Sequence, residues 1–278
     1  MKIQNDYLRL EVSGLGAELQ SIIDQRTGKQ YLWQADPAYW GRKSPLLFPI
    51  IGSLKDNEYL HQEKTYGMNK HGIVRDADFE LVTHESDYMI YHWHNNSDNY
   101  PFACSVYVTY QLDNNSIIVS YRVVNEGSDE LYYSIGGHPG FNVNYPVTLV
   151  LEGQELSRYL LKDSLISGSE PVEERQFELV PLLFEDDALI YSGVDKLLLE
   201  IAEYSIEVDV SQFDTVGIWS PYQQGEIAPF ICVEPWQGLP DTTNHNKLLK
   251  DKKGIQKLAA QEEADFTYRI SFNYEYSI

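Results

Sequence analysis

What most restricts the fold of this chain is a succession of short runs in which apolar and polar residues alternate, punctuated by glycine, proline, asparagine and aspartate. Alternation of this period places apolar side chains on one face of a β-strand. Tyr7 to Val12 and Glu18 to Ile23 read as strands around Gly14 and Gly16, and Asp24 to Lys29 (DQRTGK) is turn chemistry. Phe79 to Thr83, Met89 to Trp93, Ala103 to Leu112 and Ser116 to Val124 follow as successive hairpins. Val147 to Leu151, Tyr159 to Leu161, Lys196 to Ile201, Ser205 to Val210 and Val216 to Trp219 continue the pattern, and Phe266 to Tyr276 closes it.

Other stretches break the alternation. Asp36 to Gly52 and Gly67 to Asp76 read as ordered loops, and Ser167 to Arg175 (SGSEPVEER) as a solvated one. Phe184 to Ile190 fits a helical turn or a strand, while Thr243 to Leu258 alone hints at a short helix, with Gly254 near its end. No repeat, heptad or low-complexity linker marks a boundary. Residues 1–278 therefore read as one large antiparallel all-β domain with very little helix, a sandwich or a barrel.

Charge narrows the choice of partner. Acidic residues outnumber basic ones 42 to 21, a formal net charge of −21 that repels polyanions. Nucleic acid and anionic membrane are excluded as partners on this reading, and neutral small molecules are favoured. Cys104 and Cys232 lie in apolar runs without metal-type spacing and read as buried, reduced thiols. The polar start, MKIQNDYLRLEV, lacks the apolar centre of a signal peptide, and no run of about 18 apolar residues occurs, so the expected location is the cytoplasm.

Three polar residues stand beside glycine or proline at strand ends: His71, His138 and Glu234. His138 sits in YYSIGGHPGFNVN (Tyr132 to Asn144), where two glycines let a ligand approach the backbone and Pro139 biases the histidine toward an extended conformation. Glu234 follows the β-branched run Ile231-Cys232-Val233 and precedes Pro235. A local hydrogen bond for each histidine and a solvent-facing glutamate would account for each position separately. His92 and His94 share a strand face with no third ligand in view, and His61, His84 and His245 read as exposed. A glycine-rich phosphate loop, a serine nucleophile elbow and a metalloprotease helix are all absent.

The segments HGIVRD (His71 to Asp76), GGHPGF (Gly136 to Phe141) and ICVEPWQGLPD (Ile231 to Asp241) resemble the aldose 1-epimerase, or galactose mutarotase-like, superfamily and in particular its LacX-like branch. WGRKSPLLFPIIGSLKDN (Trp40 to Asn57) and FEDDALIY (Phe184 to Tyr191) resemble further blocks of that branch, in the same order. The resemblance implies a large antiparallel β-supersandwich that interconverts the anomers of a free aldohexose without metal or cofactor. It implies Glu234 as general base, His138 as general acid and His71 as hydrogen-bond donor to the ring oxygen or a neighbouring hydroxyl. Arg75 and Asp187 would bind sugar hydroxyls, and Trp236 would pack on the apolar face of a pyranose or, as readily for an aromatic after a strand, in the core or at the rim.

Pro139-Gly140-Phe141 differs from the galactose branch after its histidine, which leaves the sugar open. A hexose 6-phosphate epimerase would gather basic groups, of which Arg42, Lys43, Lys70 and Arg75 lie near the matching blocks. A sugar-binding protein without turnover and a glycoside hydrolase pairing Glu234 with Asp187 are the other readings. The expected assembly is a monomer or homodimer.

Overall fold

A computed structural model describes residues 1–223 and 226–274. Its main feature is a 15-stranded antiparallel sheet. The path runs from Leu46–Leu47 through Ile135–Gly137, Phe230–Gln237, Thr215–Trp219, Leu189–Ile201, Tyr204–Asp209, Glu263–Tyr274, Ser116–Asn125, Cys104–Asp113 and Tyr88–His94 to Glu80–His84. Small two- and three-stranded sheets flank it, and the only helical elements among the described residues are four 3-10 turns. None is long and apolar enough to cross a membrane.

The alternation seen in the sequence is what builds the core. In Cys104–Asp113 and Ser116–Asn125 every second residue, including Val106, Val108, Val119 and Tyr121, is buried in one extended apolar cluster. Phe230–Gln237 is different, because all eight of its residues are buried. Ile231 and Val233 point into the main core, whereas Phe230, Cys232 and Trp236 belong to two smaller clusters on the opposite face. Glu234 lies between those clusters on that second face, in the middle of a strand covered on both sides.

Several elements differ from expectation. Val147 to Leu151 and Tyr159 to Leu161 are parts of one strand, Val147–Lys162, whose register shifts near Gly153. Ser167–Arg175 is a loop only after Pro171, since Leu165–Pro171 pairs with that long strand. In the Phe184 to Ile190 segment the 3-10 turn Pro181–Phe184 ends at Phe184 and a strand begins at Leu189. The helix expected over Thr243 to Leu258 is reduced to the 3-10 turn Leu249–Asp251, because Lys247 takes a left-handed conformation (φ 68°) and Gln256–Leu258 is drawn into pairing with Leu131–Tyr133. The closing strand spans Glu263–Tyr274; Glu275 and Tyr276 lie outside the described residues.

The histidines also need two corrections. His245 keeps only 7% of its side chain exposed, 3.9 Å from Asp241, and His61 is half-buried against Phe102 (4.6 Å between rings). Phe102, 41 positions on, covers His61, and the nearby Asp241 lies against His245. His84 is exposed as expected, and His94 pairs with Glu126 at 2.8 Å.

Candidate active site

Strand register brings the two principal groups together. Gly136 pairs with Trp236 and Gly140 with Cys232, so the same register places His138 directly across from Glu234. Between these pairs the Val233 N–H donates to the Pro139 carbonyl at 3.1 Å, and proline has no N–H to complete the ladder. Cross-strand side chains of a pair lying beside such a hydrogen-bonded one approach closely. His138 Nε2 indeed lies 3.1 Å from Glu234 Oε2, although Oε2 and His138 Nδ1 both lack a hydrogen-bonding partner. Pro139, which has no obvious purpose in the sequence, therefore opens the ladder where the pair meets.

Both groups are deeply buried, with Glu234 1% and His138 6% exposed. Burial pushes the Glu234 carboxyl well above the usual carboxylate range, and Asp187 adds to that while Lys70 opposes it. Burial likewise pulls the His138 imidazole down, to about 3, with Lys70 and Arg75 acting in the same direction. Burial thus disfavours the charged form of both groups. Trp40 stacks on the imidazole (4.8 Å, 27°) and Trp219 meets it edge-on (5.8 Å), which locks the ring plane.

His71 approaches from the Gly67 to Asp76 loop, its ring 5.4 Å from that of His138 and perpendicular to it. Its backbone is left-handed (φ 70°) and its N–H donates to the Gly52 carbonyl at 3.0 Å. The Gly52 N–H in turn donates to His71 Nδ1 at 3.2 Å, so the neutral ring carries its proton on Nε2. Burial and the nearby His138, Lys70, Arg75 and Arg42 keep His71 well below the ordinary imidazole range. Gly72 makes this turn possible: its φ is +79° and a Cβ there would sit 2.1 Å from the Phe48 carbonyl oxygen. Gly72→Ala should lower stability by at least about 1–3 kcal/mol, measured by urea unfolding, because it adds a backbone collision to left-handed strain.

These residues line one cleft of about 230 Å³, together with Arg75, Asp187 and Trp236. All six residues singled out from the sequence are therefore brought to the same place. Of the acidic run Glu185, Asp186 and Asp187, only Asp187 faces the cleft, where its Oδ2 accepts from Lys70 Nζ (3.0 Å) and Ser164 Oγ (2.7 Å). Arg42 donates to Asp76 at 2.7 Å and Arg75 Nε lies 3.7 Å from the same carboxylate, so two guanidinium groups share one counter-charge at the rim. Lys43 points away, to the Gln20 carbonyl.

Of the two places open to an aromatic after a strand, Trp236 takes core packing at the border of the cleft. It is 2% exposed and packed with Leu47, Ile51 and Ile190, so only an edge of its indole borders the cleft and its face is covered by protein. Trp40 and Trp219 supply the aromatic walls instead, and the sequence marks neither beyond the block containing Trp40. Cys232 was likewise unassigned: among the described residues, donor atoms of His138, Cys232 and Glu234 lie within 4.8 Å of one another. A metal could be held at that spacing, yet burial raises both the Cys232 thiol and the Glu234 carboxyl and so disfavours two of the three ligands in their binding form.

The continuous antiparallel sheet, with the cleft lined by strands toward the Leu46–Leu47 end of its path, defines a galactose mutarotase-like β-supersandwich. The profile of the aldose 1-epimerase family matches residues 1–252, and the chain belongs to that family. It is 29% identical to the plasmid-encoded protein LacX of Lactococcus lactis subsp. lactis over 98% of each chain. Among solved structures it is similar to a galactose mutarotase related enzyme from Lactobacillus acidophilus, at 30% identity and TM-score 0.94 over 99% of each chain. A galactose mutarotase-like protein from Lactobacillus casei is 29% identical with TM-score 0.93, covering 98% of this chain and 99% of that one.

Proposed function

We propose that the protein is an aldose 1-epimerase that interconverts the α and β anomers of a free aldohexose by general acid and base catalysis. The observation that carries this reading is the buried His138–Glu234 pair, 3.1 Å apart, opening onto a sugar-sized cleft. Ring opening requires a base to take the anomeric hydroxyl proton and an acid to protonate the ring oxygen as the C1–O5 bond breaks. With Glu234 as base and His138 as acid, the open aldehyde faces a protonated carboxyl and a neutral imidazole. That is the proton distribution that burial of both groups favours. After rotation about C1–C2, Glu234 returns its proton and His138 accepts one as the ring recloses from the other face.

The reactive pair is a carboxylate facing a protonated imidazole, the charged forms that burial of both groups disfavours. A sugar hydroxyl donating to the carboxylate and the positive charge of Lys70 both favour the ionised Glu234, while the negative charge of Asp187 favours the protonated His138. The His71 Nε2–H suits the ring oxygen or a neighbouring hydroxyl, while Arg75 and Asp187 suit hydroxyls further round the ring. Trp40 and Trp219 offer apolar surface. Polarimetry of freshly dissolved α-glucose, α-galactose and a wider aldose panel tests the reading: optical rotation should reach equilibrium faster with protein than without. No acceleration for any aldose would refute it, and saturable binding without acceleration would assign the cleft to sugar sensing.

Arg42, Lys70 and Arg75 around the cleft favour a second reading, epimerisation of a hexose 6-phosphate. All three have acidic neighbours already, Asp76 for the arginines and Asp187 for the lysine, which makes the free sugar the first choice. Including glucose 6-phosphate in the same panel separates the two by the ratio of kcat/KM values.

A further inference from the structure

Trp236 has a donor that neither sugar stacking nor core packing uses. Two glycines fix its plane: a Cβ on Gly217 would lie 2.7 Å from Cζ2 and 2.9 Å from Cη2 of the indole, and one on Gly136 would lie 3.0 Å from Cδ1. The ring is wedged flat between neighbouring strands and its rotamer is set by them. Nε1 ends up fully buried with no hydrogen-bond partner. A buried indole N–H without an acceptor is costly, and tryptophans in protein interiors usually find one.

Two residues earlier, on the same strand face and at the same cleft, the Glu234 Oε2 is also buried and unpartnered. One orphaned donor and one orphaned acceptor therefore sit side by side. Once the carboxylate forms, the acceptor gains charge, and the fixed N–H two residues on is an uncommitted donor on the same strand face. We infer that Trp236 is a positioning residue whose indole N–H donates to the ionised Glu234 carboxylate and orients it toward the anomeric hydroxyl. The inference rests on the reading of Glu234 as base.

The surroundings are compatible with this role. Lys70 favours the ionised form and Asp187 opposes it, with the indole N–H itself on the favourable side. His138 faces the carboxyl from across the ladder, His71 and Arg75 border the same cleft, and Cys232 lies two residues away on the same strand with its thiol raised by burial. None of these donates a hydrogen bond to Oε2 in the empty cleft.

The test is a carbon-13 titration of the glutamate side-chain carboxyls in the intact, sugar-free protein, with Glu234→Gln assigning the Glu234 signal. Three proteins are compared: wild type, Trp236→Phe, and a form carrying benzothienylalanine at 236, which keeps the ring shape but has sulfur in place of N–H. Loss of one hydrogen bond to a charged group should move the Glu234 titration upward by about one to two pH units in both substituted proteins. The lower-pH limb of kcat/KM should move with it. An unchanged Glu234 titration in the benzothienylalanine protein overturns the inference, and a shift confined to Trp236→Phe does so too, by assigning the effect to packing. Because the titration needs no turnover, its outcome is readable even if polarimetry finds no active sugar.

Discussion

Glu234→Gln should reduce mutarotation by about 10²–10⁴-fold and at the same time raise the melting temperature at pH 7. The rate loss follows from removing the group that takes the anomeric proton. His138→Gln should show a loss of similar size, and combining the two should cost little more than either alone, since they act as one proton-transfer unit. Initial rates by polarimetry measure this directly. A loss of only a few-fold would reassign the residue to holding the sugar.

The gain in stability comes from the sign of the proton linkage. The Glu234 carboxyl is raised by burial from an unfolded value near 4.5, so between those two values the folded state binds more protons than the unfolded one. Stability associated with the protonated carboxyl is complete below about pH 4.5 and declines as pH rises through the folded value. Glutamine has the shape of the protonated acid and never ionises. Thermal unfolding should therefore show the variant ahead of wild type at pH 7 to 8 and level with it near pH 4. His138 contributes with the opposite slope, because its folded value lies near 3, below the ordinary 6.5: its share is present above pH 6.5 and is lost as pH falls toward 3. That share is common to both proteins and leaves their difference intact.

The period-2 pattern made the all-β architecture legible, and the strand-end settings of His71, His138 and Glu234 made the centre of the site legible. What the sequence could not convey was register. The continuity of pairing from Gly136–Trp236 to Gly140–Cys232 sets His138 against Glu234, and this depends on residues almost 100 positions apart. The role of Pro139 emerges only from that pairing. The sequence leaves Trp236 between sugar stacking and core packing because an aromatic after a strand looks the same in either place, and the glycines that set its ring, Gly136 and Gly217, come from two other strands. The helix misread over Thr243 to Leu258 has a similar cause. Within that run Lys252 is buried and committed to a tertiary ion pair that the local sequence does not show.

That ion pair supports the second large effect. Asp241→Ala should destabilise the protein by about 3–5 kcal/mol, more than Lys252→Met, and the loss should shrink as pH is raised. Lys252 Nζ lies 2.9 Å from Asp241 Oδ1 with both side chains at most 1% exposed. The other carboxylate oxygen, Oδ2, accepts from the Lys55 N–H at 2.9 Å, and the Asp241 N–H donates to the Ser53 carbonyl at 3.0 Å. Asp241 thereby ties the Gly238 to Asp241 loop to the Gly52 to Lys55 segment, where Pro240 packs so closely on Gly52 that a Cβ there would meet its ring at 2.4 Å. Gly52 also supplies the N–H that fixes the His71 tautomer, so the clamp reaches the site. Removing Asp241 leaves a buried ammonium alone, whereas removing Lys252 leaves a carboxylate that keeps its Lys55 N–H donor. Burial already lowers Lys252 and Asp241 is what holds it up. Without Asp241 the unfolded state binds a proton the folded state gives up, so stability rises with pH up to the ordinary lysine value near 10.5. Urea unfolding at pH 7 and pH 9.5 should therefore show Asp241→Ala recovering part of its deficit at the higher pH, and Asp241→Leu/Lys252→Met losing less than the single aspartate variant. Equal deficits at both pH values would mean that the clamp acts through its backbone hydrogen bonds rather than through the buried charge.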